Sequence, residues 1–314
     1  MSTSVSTVGR SGLVYLVGAG MLWGTGGLLG TLLYQATGLS PVSVATCRLA
    51  VGGLLLVALL ATTRRPWPRN PLAWRRVGAV AVLAATFQAA YFGAVAASSV
   101  SLATLITIGM SPVVVAVLEH LTGRNAVDGR RAVTIGIALC GLALLVGLPS
   151  GGVSAGGLLA GAALASAAAA AFAAVTVINA VPVPGLDAMT TTGLGFTGGA
   201  LLLAPLAATS GLAFDPTAGS IALVLVLGLV PTAVAYTLYF RGLSNAGPGI
   251  AAVLALLEPL TGAVLAAVVL GERLTASGLA GAALLVVALL RAATPSRSTA
   301  RVPDTATGRR WSRD

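Results

Sequence analysis

The chain has 314 residues, of which 57% are hydrophobic and 8% charged, and its mean hydropathy is +0.97. A soluble domain carries about 25% charged residues, so a water-soluble fold is excluded: the polar groups are too few to clothe a core. All eighteen bases are arginines, set against eight acids for a formal charge of +10. In a soluble protein that surplus would suggest nucleic acid, but here it gathers at the ends of apolar runs and in one tail.

Those runs approach the ~20 residues that a helix needs to cross a bilayer, and ten spans are predicted. A short segment, 1–11, precedes the first at 12–34. With nine further spans behind it, an uncleaved helix fits better than a signal peptide. This span offers Trp23 as a polar-tipped aromatic, and the pairs Gly20/Gly24 and Gly26/Gly30 permit close helix approach. Span two, 41–62, encloses Cys47 and Arg48; the arginine reads as a structural intramembrane charge paired with a carbonyl or an acid. The loop "TTRRPWPRNPLAWRR" follows, with Trp67 and Trp74 as interfacial anchors. Span three, 77–97, places Gln88 and Tyr91 on one face, three residues apart. Span four, 101–119, contains Pro112, where a helix can bend or break. At its end Glu119 and His120 read as solvated or snorkelling groups, as does Glu272 after span nine. Span five, 131–148, holds Cys140; both cysteines read as buried free thiols.

Span six, 155–179, is mostly alanine and ends on Asn179, another polar-tipped candidate. Span seven is 187–208. Span eight, 219–240, carries Tyr236 and Tyr239 at the same spacing as Gln88 and Tyr91. Span nine, 248–270, carries Glu258 about ten residues in, near mid-depth at ~1.5 Å per residue. Pro259 follows directly, so the helix is expected to break there. An acid at that depth serves either as a proton carrier or cation contact, or as a structural hydrogen-bonding group. Span ten is 275–292. The segment 293–314 has a net charge of +3 and reads as a disordered basic tail drawn to anionic lipid.

Two familiar patterns fail on context. Gly152 to Gly156 matches G-x-S-x-G, but the single histidine, His120, lies a membrane thickness (~30 Å) away. Gly193 to Gly198 matches G-x-G-x-x-G inside an apolar span with no preceding strand, where small residues serve helix packing instead. There is no Walker A sequence, histidine pair or cysteine cluster. No catalytic residues, metal or cofactor are expected.

Charge sets orientation. Sixteen of the eighteen arginines fall on one side: Arg10, the clusters after spans two and four, Arg241, Arg291 and the tail. Arg273 alone lies opposite, and Arg48 lies within a span. Both termini are therefore expected in the cytoplasm, with the chain in the cell membrane. Sliding the sequence by 147 residues lays Pro112 on Pro259, Gly52 on Gly199, and Leu54–Leu56 on Leu201–Leu203; "YF" at 91–92 meets "YF" at 239–240 after a one-residue slip. Five spans per copy is odd, so the second copy lies upside down. The predicted fold is an all-α integral membrane protein of ten helices in two inverted five-helix repeats, 12–148 and 155–292. Such repeats place a site near the midplane.

Residues 234–275, "VAYTLYFRGLSNAGPGIAAVLALLEPLTGAVLAAVVLGERLT", resemble the most recognisable stretch of the EamA-type drug/metabolite transporters, and "QAAYFGAVAASSVSLATLITIGMSP" at 88–112 is its first-half counterpart. The resemblance covers 12–292. It implies a central cavity lined by the first, third, fourth, sixth, eighth and ninth helices, which hold Trp23, Gln88, Tyr91, Asn179, Tyr236 and Glu258. In the first repeat Asn125 stands where the second has Glu272, so a role needing both acids is in doubt. The expected function is secondary-active transport, with export of a small metabolite, amino acid or drug-like compound implied by the resemblance. Import, a membrane enzyme acting on lipid or peptide, and a scaffold are the alternatives. Expected partners are a small-molecule substrate, the bilayer, a coupling proton or cation and, as an open option, a second copy in a homodimer. Nucleic acid is not expected.

Overall fold

The computed structural model describes residues 10–125, 127–147, 154–269, 271 and 273–294. The N-terminal segment before Arg10, the basic tail beyond Thr294, Glu272, and Gly152 and Val153 of the G-x-S-x-G match lie outside the described residues. Ten apolar helices long enough to cross a membrane follow one another: α1 Arg10–Thr37, α2 Pro41–Thr62, α3 Pro71–Ala97, α4 Val100–Leu121, α5 Gly129–Val146, α6 Ala155–Asn179, α7 Ala188–Thr209, α8 Ala218–Ala246, α9 Pro248–Val269 and α10 Ala276–Ala293. The protein is a multi-pass membrane protein.

Local chemistry fixes the helix starts. Ser40, Asn70, Ser99, Asp128, Ser154, Asp187, Thr217 and Thr275 each accept a backbone N–H from the first turn ahead, satisfying donors that a helix start otherwise leaves open. α3 begins six residues earlier than the hydropathy pattern placed it, because Asn70 caps and Pro71 preorganises the first turn. Arg75 and Arg76 are thus helical residues rather than loop residues.

The helix pairing shows the repeat. α2 packs on α7 and α5 on α10; α1 packs on α8 and α9, while α6 packs on α3 and α4. Exchanging each helix for the one five places on returns the same set of pairs. Odd repeats then run in opposite senses, giving two inverted five-helix bundles. The interfaces are built from small residues. Ala165, Ala168, Ala169, Ala171 and Ala173 of α6 are buried, which explains its alanine content: it is clasped between α3 and α4. Gly193, Gly195 and Gly198 lie so close to Leu56, Val80 and Ala81 that an added Cβ would sit 3.0, 2.6 and 2.9 Å from them. Large apolar side chains such as Leu159, Leu201 and Val268 point outward, as a lipid-facing surface requires.

Prolines act differently in different helices. Pro259 offers no N–H, and its ring excludes the carbonyl four residues back, that of Ala255. The Glu258 N–H donates to Ala255 O at 3.0 Å instead, and α9 is interrupted at residues 255–256. Pro112 does not break α4, which runs unbroken; Ser111 Oγ donates one turn back to Thr107 O at 2.6 Å, one of the local adjustments that membrane helices use. A further irregularity lies in α8, where Leu229–Val234 forms a π turn. Pro231 cannot bond Leu227 O, and Thr232 Oγ1, five residues on, donates to it at 3.0 Å.

Two smaller expectations are corrected. Glu119 is buried and ion-paired with Arg131 rather than solvated; His120 is exposed. Cys140 faces outward and Cys47 is half-buried, since an apolar span in lipid has no need to hide a thiol.

Candidate functional site

A cavity of about 580 Å³ lies between the repeats. Its floor, near mid-depth, is Trp23 of α1, Phe172 of α6 and Tyr236 of α8. Trp23 meets Tyr236 edge-on at a 4.8 Å centroid separation and Phe172 at 5.9 Å, the offset geometry that aromatic quadrupoles favour. From there the lining climbs α3 through Gln88 and Tyr91, α4 through Ser111, Thr107 and Thr104, and α9 through Glu258 and Pro259. It reaches the exposed Tyr34 and Val100 at the arginine-poor end.

Four polar features shape it. Gln88 is buried and lines the space, and Tyr91 Oη hydrogen-bonds with Thr104 Oγ1 at 2.9 Å, tying α3 to α4 within the wall. Glu258 is half-buried, presented by the interrupted turn of α9. Arg48 comes from α2 with its Nε enclosed and unbonded. Among the described residues no ion pair within 4.0 Å joins Arg48 to Glu258, although the two are close enough to interact electrostatically. Gly24 lets α1 press against this point: a Cβ there would meet Thr261 Cβ at 2.5 Å and Glu258 O at 2.9 Å.

Of the residues singled out from sequence, Trp23, Gln88, Tyr91, Tyr236, Glu258 and Pro259 line the cavity together. Arg48 does so as well, from a helix not expected to contribute, and its buried Nε has no carbonyl or acid partner among the described residues. Asn179 does not line it; its amide donates to Val175 O at 2.8 Å within α6. Pro112 is absent from the lining, where its neighbour Ser111 stands. Tyr239 turns away from the cavity that Tyr236 lines, and its hydroxyl bonds Thr176 Oγ1 at 2.8 Å. Sequence reasoning missed Phe172, although it is the lone aromatic in an alanine-rich span, and Thr104, Thr107 and Ser111.

Below the floor the arginine-rich end is tied shut. Tyr239 and Phe240 pack behind Trp23 and Tyr236. Beyond them Arg76 donates to Ile178 O, and to Val181 O at 3.0 Å. Arg124 reaches Val177 O at 3.3 Å, and Arg65 pairs with Asp187 at 2.7 Å. Arg130 donates to Thr294 O at 2.8 Å. Each of these contacts crosses from the first repeat to the second. Asp187 lies outside the spans. Burial pushes its carboxyl up, but hydrogen bonds from Thr190 and the charge and hydrogen bond of Arg65 outweigh that and hold it below the usual carboxylate range.

Ten membrane helices in two inverted repeats, with a mid-depth cavity where the halves meet, define a membrane transporter. The chain belongs to the EamA-like transporter family, whose model matches residues 10–147 and 159–293, within the drug/metabolite transporters; it is a transporter and not an enzyme. It is 29% identical over 277 residues to the uncharacterized transporter YwfM of Bacillus subtilis (strain 168), covering 88% of this chain and 92% of that one. A solved crystal structure of 20% identity has the same fold, with a TM-score of 0.73 over 90% of this chain and 96% of the other.

Proposed function

We propose that the protein is a secondary-active transporter of the cell membrane that exports a small metabolite, amino acid or drug-like compound by alternating access, with both termini in the cytoplasm. The observation that carries this reading is the cavity shared by both repeats at mid-depth, whose lining among the described residues runs out to the exposed Tyr34 and Val100 at the arginine-poor end. A site between inverted repeats can face either side as one repeat rocks against the other. The arginine-rich end is assigned to the cytoplasm by charge asymmetry, so the cavity faces outward, the releasing side for an exporter. Glu258 is the coupling residue, exchanging a proton or binding a cation as the cavity changes sides.

The test is counterflow in proteoliposomes, using compounds that raise the melting temperature of the purified protein, since a ligand selective for the fold stabilises it. Accumulation of labelled compound against unlabelled compound inside supports transport. Ligands that bind without any counterflow contradict it. Comparing vesicles of the two orientations separates export from import.

A further inference from the structure

Resting on the transport reading, we propose that the cavity takes a zwitterion of the amino-acid type, with its carboxylate on Arg48, its ammonium on Glu258 and its apolar side group against Trp23, Phe87 and Phe172. Arg48 and Glu258 are the charged groups that line the cavity among the described residues; the remaining titratable ones are the phenols of Tyr34, Tyr91 and Tyr236. One base and one acid thus face the same cavity. Neither makes a hydrogen bond to protein among the described residues, and no contact within 4.0 Å joins them. An unpartnered charge at membrane depth is costly and marks a site that another group completes.

The fold does not require either charge. At the 147-residue offset that superposes Pro112 on Pro259, the counterpart of Glu258 is Ser111 and that of Arg48 is Gly195. Ser111 lines the same cavity, and Gly195 packs against Val80. The base and the acid are therefore additions to a symmetric frame, and they come from different repeats: Arg48 from α2 in the first, Glu258 from α9 in the second. A substrate with only a positive charge would meet Arg48 unfavourably, and one with only a negative charge would meet Glu258. A molecule bearing both satisfies each group by a charge-assisted hydrogen bond. It also bridges the two repeats, so its binding is coupled to their relative position. The aromatic wall leaves room for a substituent without demanding another polar partner.

The experiment measures melting temperature and competitive binding on the purified full-length protein, using the twenty proteinogenic amino acids, their carboxamides (cations) and their N-acetyl derivatives (anions). At least one free amino acid is expected to bind roughly ten- to a hundredfold more tightly than both of its blocked forms. Arg48→Gln should remove the penalty against the carboxamide, and Glu258→Gln should remove that against the N-acetyl form. This exchange of preference is something that mere loss of folding does not produce. Arg48→Lys, which keeps the charge, should retain the wild-type order and serves where Arg48→Gln fails to fold. Blocked forms binding as tightly as the free amino acids overturn the proposal, as does a panel in which no amino acid binds. Counterflow of a singly charged or neutral compound sinks the zwitterion while leaving the transport reading standing; amino-acid binding without counterflow does the reverse.

Discussion

Gly24 is the position where a single methyl group tests how α1 and α9 hold the cavity wall. A Cβ at Gly24 would lie 2.5 Å from Thr261 Cβ and 2.9 Å from Glu258 O. Comfortable carbon contacts need about 3.5–4.0 Å, so Gly24→Ala must force the two helices apart by roughly 1–1.5 Å. Neither atom can evade by a rotamer change, since one is a Cβ and the other a main-chain oxygen. Overpacking of this kind costs about 1–3 kcal/mol. Gly27, one turn along the same helix and also lining the cavity, has nothing within 4 Å of its would-be Cβ. There the helix-forming advantage of alanine, up to ~1 kcal/mol, goes unopposed. Thermal melting of the two purified variants should therefore show Gly24→Ala several degrees below wild type and Gly27→Ala at or slightly above it. The displaced wall carries Glu258, so Gly24→Ala should also weaken ligand binding while Gly27→Ala changes it little. Equal melting temperatures would refute the close α1–α9 contact at this point.

Other outcomes follow from the same structure. Glu119→Gln leaves the half-buried Arg131 without its charged partner and should destabilise by about 1–3 kcal/mol; adding Arg131→Met should restore part of that in the melting temperature, and no recovery would count against the pair. The depressed carboxyl of Asp187 stabilises the fold at and above about pH 4, the unfolded carboxylate range, and that contribution is lost as pH falls through the lower native value. Melting curves of wild type and Asp187→Asn should accordingly differ at pH 7 and converge in strong acid. Arg76→Ala combined with Arg124→Ala removes the donors on the α6 carbonyls, so a cysteine at Val177, with Cys47 and Cys140 replaced, should react faster with a thiol reagent in detergent; an unchanged rate would show that the end is closed by the aromatic layer alone. Glu258→Gln should keep folding and abolish the pH dependence of counterflow, and an unchanged pH response would remove Glu258 from coupling.

The spans were legible because transfer of an apolar run into lipid is a property of composition, and lipid leaves the backbone few alternatives to helix. Which face of each helix turns inward was not legible. In a soluble helix the polar face marks the outside, but here both faces are apolar. Tyr236 and Tyr239 show the consequence: their spacing is compatible with one face, yet one lines the cavity and the other bonds Thr176. Asn179 looked like a site residue only because it is polar, and a carbonyl one turn back takes up its amide. Pro259 could be read correctly because its neighbours leave the freed carbonyl of Ala255 to a tightened turn. Pro112 could not, since helix packing rather than the proline itself decides whether the helix parts. The role of Arg48 depended on whether a partner stood within reach, a tertiary fact.

The inverted repeat makes the two ends of the molecule topologically equivalent, so their difference must come from side chains. At the arginine-rich end the C-terminal carbonyls of α6 receive Arg76 and Arg124. By the 147-residue offset, the same positions facing the C-terminus of α1 at the other end are Leu223 and Gly271, neither of which offers a side-chain donor. Asp187, which answers Arg65, likewise has no acidic counterpart in the turn before α2, where Ser40 caps the helix. The cavity accordingly opens beside α1, past Tyr34, and is closed beneath α6. The arginines whose number sets the expected orientation are thus, by their individual placement, also ties that close one end. Under the proposed alternating access, reversing the cavity would require the guanidinium groups of Arg76 and Arg124 to leave carbonyls at the expected edge of the membrane. Water and lipid headgroups there can take their place, so the ties can hold one state without locking it.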